Sequence, residues 1–243
     1  MSANEDEIFD RLIRKLARLA TLDGSDHEAI RALPFKLRTV AANRVLVREG
    51  ERVTSCAVLV SGYACRHKTT SEGARQIVSF HLPGDILDLD QLLLAKADHT
   101  LQTITEAVLA WVPEADIRAL TRDRPCVNEA LWRDTLIDAS IFREWVLNVG
   151  RRDAKSRIAH MLCEFAARRE AAGLGSPERF ELPMTQEQIG DATGLTSIHV
   201  NRMLHELARD GVIARDRRDV AITDWARLRA IGGFDPAYLH AAA

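Results

Sequence analysis

The sequence predicts an α+β fold: an N-terminal antiparallel β-roll (jelly roll), a long connecting helix and a C-terminal domain of helices with a β-hairpin. Three observations carry this prediction. Short apolar runs separated by glycines occupy the first half of the 243-residue chain, and a helical pattern of apolar residues follows. Two short helical patterns joined by a glycine then lie near the end. We therefore expect domains at residues 1–112, 113–150 and 151–243.

The β-roll is predicted from regularly spaced strands. Turn signals surround Gly50, Gly62, Gly73 and Gly84, so that glycines recur every 11 or 12 residues. Regular short strands are typical of an antiparallel sandwich or jelly roll, and a small closed β-domain commonly encloses a ligand. The apolar or alternating runs between the turns are RVLVRE, SCAVLVS, YACRHKT, RQIVSFHL and LQTITEAVLAWV.

A long helix is predicted from Pro125, which suits the first turn of a helix. Its apolar residues occupy more than one side. We expect one side to pack on the β-domain and another on a partner helix; an ordinary core helix is the alternative. Asp134 and Asp138 interrupt the heptad pattern, so no a and d positions are assigned.

The segment 185–208 has the pattern of two helices joined by a tight turn. Thr185 is a predicted N-cap, with Gln188 completing a capping box, and Gly194 suits the left-handed position that ends the first helix. Thr196 is a predicted N-cap for the second helix. That helix carries one apolar stripe, which we expect to be buried: Val200, Met203, Leu204 and Leu207.

The opposite side of the second helix is predicted to face DNA. It carries Ile198, Arg202, His205 and Arg209, with Ser197 at the amino end and His199 and Asn201 on the flanks. An αα-hairpin in a helical domain is the alternative interpretation.

A β-hairpin is predicted after these helices, from the alternating segment VIARDRRDVAIT. A two-stranded wing beside a recognition helix is the arrangement of a winged helix-turn-helix. Arg217 and Arg218 at its tip are then expected to contact phosphates, which sets register without reading sequence.

Composition permits this interpretation without requiring it. The formal net charge is −2, and residues 151–243 hold 14 Lys+Arg against 13 Asp+Glu, so we expect a local basic face and salt-sensitive DNA binding. The chain has no apolar run of about 18 residues, and MSANEDEIFDRL is acidic rather than signal-like, which predicts a cytoplasmic protein with no membrane contact. Four cysteines lacking CxxC pairs predict no metal site, and we expect no cofactor.

The order of these elements resembles the Crp/Fnr family of bacterial transcription regulators. The resemblance is most specific at RRDAKSRIAHMLCEF (151–165) and LPMTQEQIGDATGLTSIHVNRMLHEL (182–207), and it extends to LVSGYA (59–64) and LPGDIL (82–87). It implies a homodimer joined through the long helices, with each recognition helix in a major groove of a near-palindromic operator. RNA polymerase is an implied partner if the protein activates transcription.

Positions carried over from the family give the expected DNA contacts. Thr185, Gln186 and Thr196 are expected to touch phosphates, and Ser197, Ile198 and Arg202 occupy base-reading positions. A bidentate contact from Arg202 to guanine contributes about 1–3 kcal/mol of discrimination. Ile198 departs from the glutamate of many members, because isoleucine offers only apolar contact, for example to a thymine methyl.

The candidate effector residues depart further from the family. Cyclic-nucleotide-binding members have a Gly-Glu pair and then an Arg-Ser/Thr pair that holds the phosphate. Asp88 and Leu89 stand at the first pair and His99 and Thr100 at the second. Because Asp88 and Asp90 are expected to repel an anion, we predict that cyclic AMP does not bind through the family contacts, and that the effector is an unidentified small molecule.

Other known sensors of the family also fit poorly. The chain has no cysteine before Cys56, which argues against an N-terminal iron–sulfur cluster. Haem binding by His67, His81, His99 or Cys65 stays open, although ordinary strand residues satisfied by neighbours are favoured. For Cys163 a small, partly buried filler is favoured over an accessible thiol near DNA.

Two other function classes are compatible with a chain of this composition. A β-roll regulatory module that never contacts DNA is the alternative, and the basic recognition helix and wing argue against it. An enzyme ranks last, because no G-x-S-x-G, P-loop, G-x-G-x-x-G or H-E-x-x-H pattern is present.

Overall fold

The computed structural model describes residues 7–240; residues 1–6, which begin the acidic N-terminal segment, and residues 241–243 lie outside the described residues. The described chain divides into two compact units. Unit 1 comprises residues 7–68 and 80–139, and unit 2 comprises residues 69–79 and 140–240. Among the described residues, no helix is long and apolar enough to cross a membrane.

Unit 1 begins with two helices that the assignment of residues 1–112 to a β-roll did not include. They are α1 (Asp10–Leu19) and α2 (Gly24–Arg31). Asp23 caps α2 by accepting from the Asp26 backbone N–H at 2.9 Å. The apolar sides of both helices enter the core of the unit through Leu12, Ile13, Leu16 and Ile30.

Two antiparallel sheets form the β-roll, as predicted. One has the strand order β1-β7-β3 and the other β2-β6-β4-β5, and the run 101–112 divides between two strands. Gly62 lies between two of the strands at a φ of 83°, where an added Cβ would come within 2.7 Å of the Cα of Ala107, so only glycine fits there. The strands are β1 (Lys36–Val40), β2 (Val45–Val47), β3 (Ser55–Ser61), β4 (Ala64–Thr69), β5 (Arg75–His81), β6 (Thr100–Thr103) and β7 (Ala107–Pro113).

Two helices follow the β-roll: α3 (Glu114–Asp123) and the predicted long helix α4 (Pro125–Arg151). Residues of α4 before Ser140 belong to unit 1 and those from Ser140 onwards to unit 2. The two aspartates that interrupt its heptad pattern are both paired. Asp134 lies 2.7 Å from Lys15, and Asp138 lies 3.4 Å from Arg66. These carboxylates therefore connect α4 to the rest of unit 1.

Unit 2 contains the C-terminal helices and a three-stranded sheet of order β8-β10-β9. The hairpin β9–β10 is the predicted wing, whereas β8 was not predicted. The elements are α5 (Ala154–Ala171), β8 (Arg179–Glu181), α6 (Gln186–Thr193), α7 (Ser197–Arg209), β9 (Ile213–Asp216), β10 (Asp219–Ile222) and α8 (Trp225–Gly232), followed by a 3-10 turn at Pro236–Leu239.

Helix α5 is the central helix of unit 2 and is buried on several sides. Cys163 lies on it with 0% exposure, and burial raises the pKa of its thiol to about 12. The hypothesis of an accessible thiol at Cys163 was therefore wrong. At about 100° per residue, Cys163 projects away from the apolar stripe of α5 that includes Ile158. Because α8 also packs against α5, residues outside that stripe are buried as well.

The buried carboxylate of Glu164 joins three segments of unit 2. It accepts from Trp145 Nε1 at 3.0 Å and from the Tyr238 hydroxyl at 2.7 Å. His160 stacks on the Tyr238 ring, and its Nε2 lies 3.1 Å from that hydroxyl. The end of α4, helix α5 and the C-terminal turn are thereby connected.

Candidate DNA-binding surface

The turn between α6 and α7 is built as the sequence predicts. Thr185 and Gln188 form the capping box, with distances of 3.1 Å and 2.9 Å between side chain and backbone nitrogen. Gly194 ends α6 at a φ of 68°. Position 190 also requires glycine, because an added Cβ would overlap the carbonyl oxygen of Leu195. The close approach of α6 to the turn therefore depends on glycine at position 190.

Helix α7 separates its buried and exposed residues as predicted. The apolar stripe is at most 5% exposed: Val200, Met203, Leu204 and Leu207. On the opposite side Ser197, Arg202 and His205 are exposed, and Ile198 is 82% exposed. His199 and Asn201 are half-buried on the flanks. Arg209 is exposed on this side too, so all seven predicted DNA-facing residues of α7 lie away from its buried stripe.

Hydrogen bonds hold several of these side chains in place. Arg202 Nη2 lies 2.7 Å from His199 Nε2, and Gln186 donates to Asn201 Oδ1 at 3.1 Å. Arg215 on β9 also reaches Asn201 Oδ1, at 3.4 Å. Asn201 therefore orients groups from α6 and the wing. The sequence places Arg215 among the wing arginines but carries no signal that it contacts the recognition helix.

The two threonines expected to touch phosphates both act as helix caps. Thr185 Oγ1 accepts from the Gln188 N–H, and Thr196 Oγ1 accepts from the His199 N–H at 3.3 Å. Because a threonine hydroxyl also carries a proton, each cap retains a donor for a phosphate oxygen. The adjoining helix N-termini favour negative charge as well.

The wing tip exposes Arg217 and Arg218 between β9 and β10. Arg217 has a φ of 53°, and its carbonyl accepts from Arg215 Nε at 2.9 Å. The left-handed backbone at Arg217 makes the tight turn that displays both guanidinium groups.

Two acidic groups near the recognition helix are paired with cations. Asp191 on α6 lies 2.6 Å from Arg75, and Asp210 at the end of α7 pairs with Lys155. The side chain of Lys155 anchors the C-terminal end of α7 to α5. These pairs reduce the local repulsion that Asp191 and Asp210 would exert on DNA.

The candidate effector residues lie in unit 1 in different environments. Asp88 is fully buried, and burial raises the pKa of its carboxyl to about 7, although Arg66 opposes this shift. The sequence predicted that Asp88 would repel an anion as a carboxylate, whereas burial favours its protonated, neutral form. Leu89 packs on the hydrophobic core. Thr100 Oγ1 accepts from the Glu49 N–H at 3.2 Å.

Asp90 and His99 lie close together, as a shared role in a site requires. Their ligand atoms and a carboxylate oxygen of Asp98 lie within 4.8 Å of one another. Arg66, which the sequence analysis missed, is 7% exposed and reaches Asp90 at 3.7 Å. A buried arginine inside a strand has no periodic signal in the sequence.

The residues considered for haem are all buried in the β-roll: Cys65, His67, His81 and His99. His81 Nδ1 lies 3.4 Å from Asp85, and burial, assisted by Arg66, lowers the pKa of His81. His99 Nδ1 lies 2.7 Å from Asp98.

Comparison with known proteins decides the family. A model of the Crp-like helix-turn-helix domain matches residues 156–231, and a model of the cyclic nucleotide-binding domain matches residues 37–124. Transcriptional activator protein FnrL of Cereibacter sphaeroides is 31% identical over 227 residues, which cover 92% of this chain and 90% of that protein. The chain belongs to the Crp/Fnr family of DNA-binding transcription regulators.

Other Crp/Fnr proteins match over most of their length. The anaerobic regulatory protein of Haemophilus influenzae is 25% identical over 215 residues, covering 88% of this chain and 83% of that protein. The solved structure of FixK2 from Bradyrhizobium japonicum is 26% identical with a TM-score of 0.75, covering 82% of this chain and 98% of FixK2. The predicted family, fold class and role as a DNA-binding transcription regulator are thereby confirmed.

Proposed function

We propose that this Crp/Fnr regulator is a homodimer that reads a near-palindromic operator with Ser197, Ile198 and Arg202 of α7. One observation carries the proposal: Ile198 is 82% exposed on the same side as Arg202, opposite the buried stripe. Contact with a base edge, such as the methyl group of thymine, explains why a large apolar side chain is exposed to solvent on the recognition helix.

The two base-reading side chains have different chemistry. Arg202 presents a planar guanidinium that matches the O6 and N7 acceptors of guanine. In the free protein it contacts His199 Nε2, so binding exchanges that contact for one with a base. Thr185, Gln186, Thr196, Arg217 and Arg218 supply the phosphate contacts that set the register, with His199, Asn201 and His205 beside them.

The proposed dimer interface is an apolar stripe on α4. Trp132 is 57% exposed, Leu136 58%, Val146 74% and Leu147 46%. At 100° per residue these four side chains fall within about 100° of arc on the helix. An exposed apolar stripe of this kind favours a second copy of the same helix.

The input is proposed to act at the β-roll without cyclic AMP. The phosphate-binding arginine of nucleotide-binding members is replaced by His99, and a carboxylate oxygen of Asp90 lies within 4.8 Å of a ring nitrogen of His99. Because the proposed partner is chromosomal DNA, we place the protein in the cytoplasm, with RNA polymerase as a further partner if it activates. No catalytic activity is part of the proposal.

The operator is tested by selecting bound DNA from a random pool, with and without cell extract. We expect a two-fold symmetric sequence for the wild type, loss of preference at one base pair per half-site for Arg202→Ala, and a changed base for Ile198→Glu. Arg209→Ala, in the last turn of the same helix, serves as the control and should retain the preferred sequence. An unchanged sequence profile for both base-reading variants would overturn the assignment.

The dimer and the ligand need separate measurements. Light scattering should give twice the chain mass for the wild type and a shift to the monomer for Leu136→Glu; an unchanged dimer mass for that variant contradicts the α4 interface. Calorimetric titration with cyclic AMP should give no heat of binding. Micromolar binding would contradict the proposed loss of the phosphate site.

A further inference from the structure

Side chains from two neighbouring elements of unit 2 meet on Asn201 of α7. Its Oδ1 accepts from Gln186 Nε2 of α6 at 3.1 Å and from Arg215 Nη1 of β9 at 3.4 Å. All three side chains are half-buried. These contacts therefore lie where the first helix, the recognition helix and the wing come together.

Arg215 determines which way the Asn201 amide faces. An asparagine side chain has an oxygen that accepts and a nitrogen that donates, whereas a guanidinium only donates. A flipped amide would place Nδ2 against Arg215, donor against donor. Gln186 alone does not fix the orientation, because a glutamine amide can flip together with its partner. The cation therefore keeps Oδ1 facing the wing.

The wing in turn holds the guanidinium of Arg215 in position. Arg215 Nε donates to the Arg217 carbonyl at 2.9 Å, in the turn that joins β9 to β10. Arg217 has a left-handed backbone in this turn, with a φ of 53°. A guanidinium with one nitrogen on the turn carbonyl and another on Asn201 has little freedom to rotate. The orientation of the amide thus depends on a contact between β9 and α7.

The Asn201 amide consequently presents only its nitrogen to another molecule. Within the described residues, both hydrogen bonds of this side chain go to Oδ1, and they use the two lone pairs of that oxygen. The two N–H groups of Nδ2 are left as donors. At 100° per residue, Asn201 lies 60° from Ile198 around α7 and one turn before His205. The donors therefore lie beside the proposed base-reading residues.

We propose that Arg215 is a positioning residue for sequence reading, and that the amide it orients selects a keto base, guanine or thymine, at one position of each half-site. Guanine O6 and thymine O4 accept hydrogen bonds in the major groove, whereas the amino groups of adenine and cytosine donate. An unconstrained asparagine pairs best with adenine, because it accepts from N6 and donates to N7 at once. Here Oδ1 is occupied, so that pair of contacts is lost. This inference rests on the proposed function, because it requires α7 to read the operator.

Asn201→Asp inverts the hydrogen-bonding character of position 201 with almost no change in shape. Aspartate has acceptors only, and Arg215 and Gln186 can still donate to one of its oxygens. The other oxygen then stands where Nδ2 stood. It accepts from the amino group of cytosine or adenine and repels a keto oxygen. The preferred base at this position should therefore change from a keto base to an amino base.

The test selects operator DNA from a random pool with the full-length wild type and its variants. At one position per half-site, we expect guanine or thymine for the wild type and cytosine or adenine for Asn201→Asp, each favoured about tenfold. Arg215→Met removes the donor and frees the amide to flip, so adenine should be accepted at the same position. Arg218→Met, which changes an exposed arginine of the same wing, is the matched control. It should weaken binding to all sequences alike and leave the base preference unchanged.

Affinity and base preference give separate answers, and circular dichroism verifies that the variants are folded. Arg215→Met that loses affinity with an unchanged base preference would overturn the inference, because a merely structural wing contact has that effect. An unchanged preference for Asn201→Asp overturns it as well. If the added charge of Asn201→Asp abolishes binding, the preference of Arg215→Met decides. A symmetric wild-type operator in either case leaves the proposed function intact, whereas a wild type that selects no symmetric sequence rejects the proposed function and the inference together.

Discussion

Trp145 Nε1 lies 3.0 Å from both carboxylate oxygens of Glu164, and Glu164 is 3% exposed. The indole belongs to the last turns of α4 and the carboxylate to the centre of α5. Burial raises the pKa of Glu164, and the hydrogen bonds from Tyr238 and Trp145 oppose that shift. The end of the long helix is thus fixed to the DNA-binding part of unit 2 by a polar contact inside an apolar environment.

Trp145→Phe should lower the free energy of unfolding by about 1–3 kcal/mol, because it leaves a buried carboxylate short of one donor. Urea unfolding followed by circular dichroism measures this loss. Trp111→Phe is the matched control, since among the described residues Trp111 Nε1 has no hydrogen-bond partner to lose. Equal losses in the two variants would show that ring size, rather than the hydrogen bond, decides the effect.

Gly190→Ala should destabilise unit 2 by about 1–3 kcal/mol, because the added methyl overlaps the Leu195 carbonyl in the turn before α7. It should also weaken operator binding by displacing the recognition helix. Gly150→Ala is the control: its Cβ meets nothing within 4 Å, and alanine in a helix is favoured by roughly 0.5–1 kcal/mol. Thermal unfolding should show a lower midpoint for Gly190→Ala and a higher one for Gly150→Ala than for the wild type. A Gly190→Ala protein as stable as the wild type contradicts the packing argument.

His160 should make the protein acid-sensitive between about pH 6.5 and pH 4. Burial and the nearby Arg152 lower the pKa of His160 to about 4, against 6.5 for the free side chain. Above pH 6.5 the ring is neutral in both states and its contribution to stability is complete. As the pH falls, the unfolded chain takes up the proton first, so stability is lost until the folded ring also protonates.

The matched variant for this titration is His160→Gln. The other groups facing the ring, including Glu144 and Glu164, are present in both proteins. The loss of unfolding free energy between pH 7 and pH 4 should therefore be larger in the wild type than in His160→Gln. The excess, about 2–3 kcal/mol, is the contribution of His160. Parallel stability curves for the wild type and His160→Gln would contradict the depressed pKa.

Arg217→Gly and Arg218→Ala should weaken binding to all DNA sequences alike. Each substitution removes one phosphate contact. The plot of the logarithm of the association constant against the logarithm of salt concentration should therefore become less steep by about 0.9 per variant. Glycine at position 217 also accepts the left-handed backbone, which keeps the turn intact. Affinities measured at several salt concentrations test this, with Arg122→Ala in unit 1 as the control. A changed operator sequence would instead assign base reading to the wing.

The local pattern of the sequence predicted the secondary structure around the DNA-binding surface. The capping residues Thr185 and Thr196 and the turn at Gly194 are local signals, and they place the helix ends correctly. The apolar stripe of α7 also determines its exposed side, including Ile198 and Arg202. These features depend on residues a few positions apart, which is why periodicity and capping rules are sufficient.

The contacts between distant residues were decided by the tertiary structure. The burial of Cys163 depends on α8 packing over α5, and the raised pKa of Asp88 depends on complete removal from water. Arg66 links Asp90 to Asp138 across more than 40 positions of the chain. By itself, the sequence determined the β-roll, the long helix and the helix-turn-helix with its wing, and it predicted the exposed side of α7, whereas α1, α2 and β8 escaped it. Only folding determined which charges lie together away from water, because desolvation and ion pairing depend on distance in space.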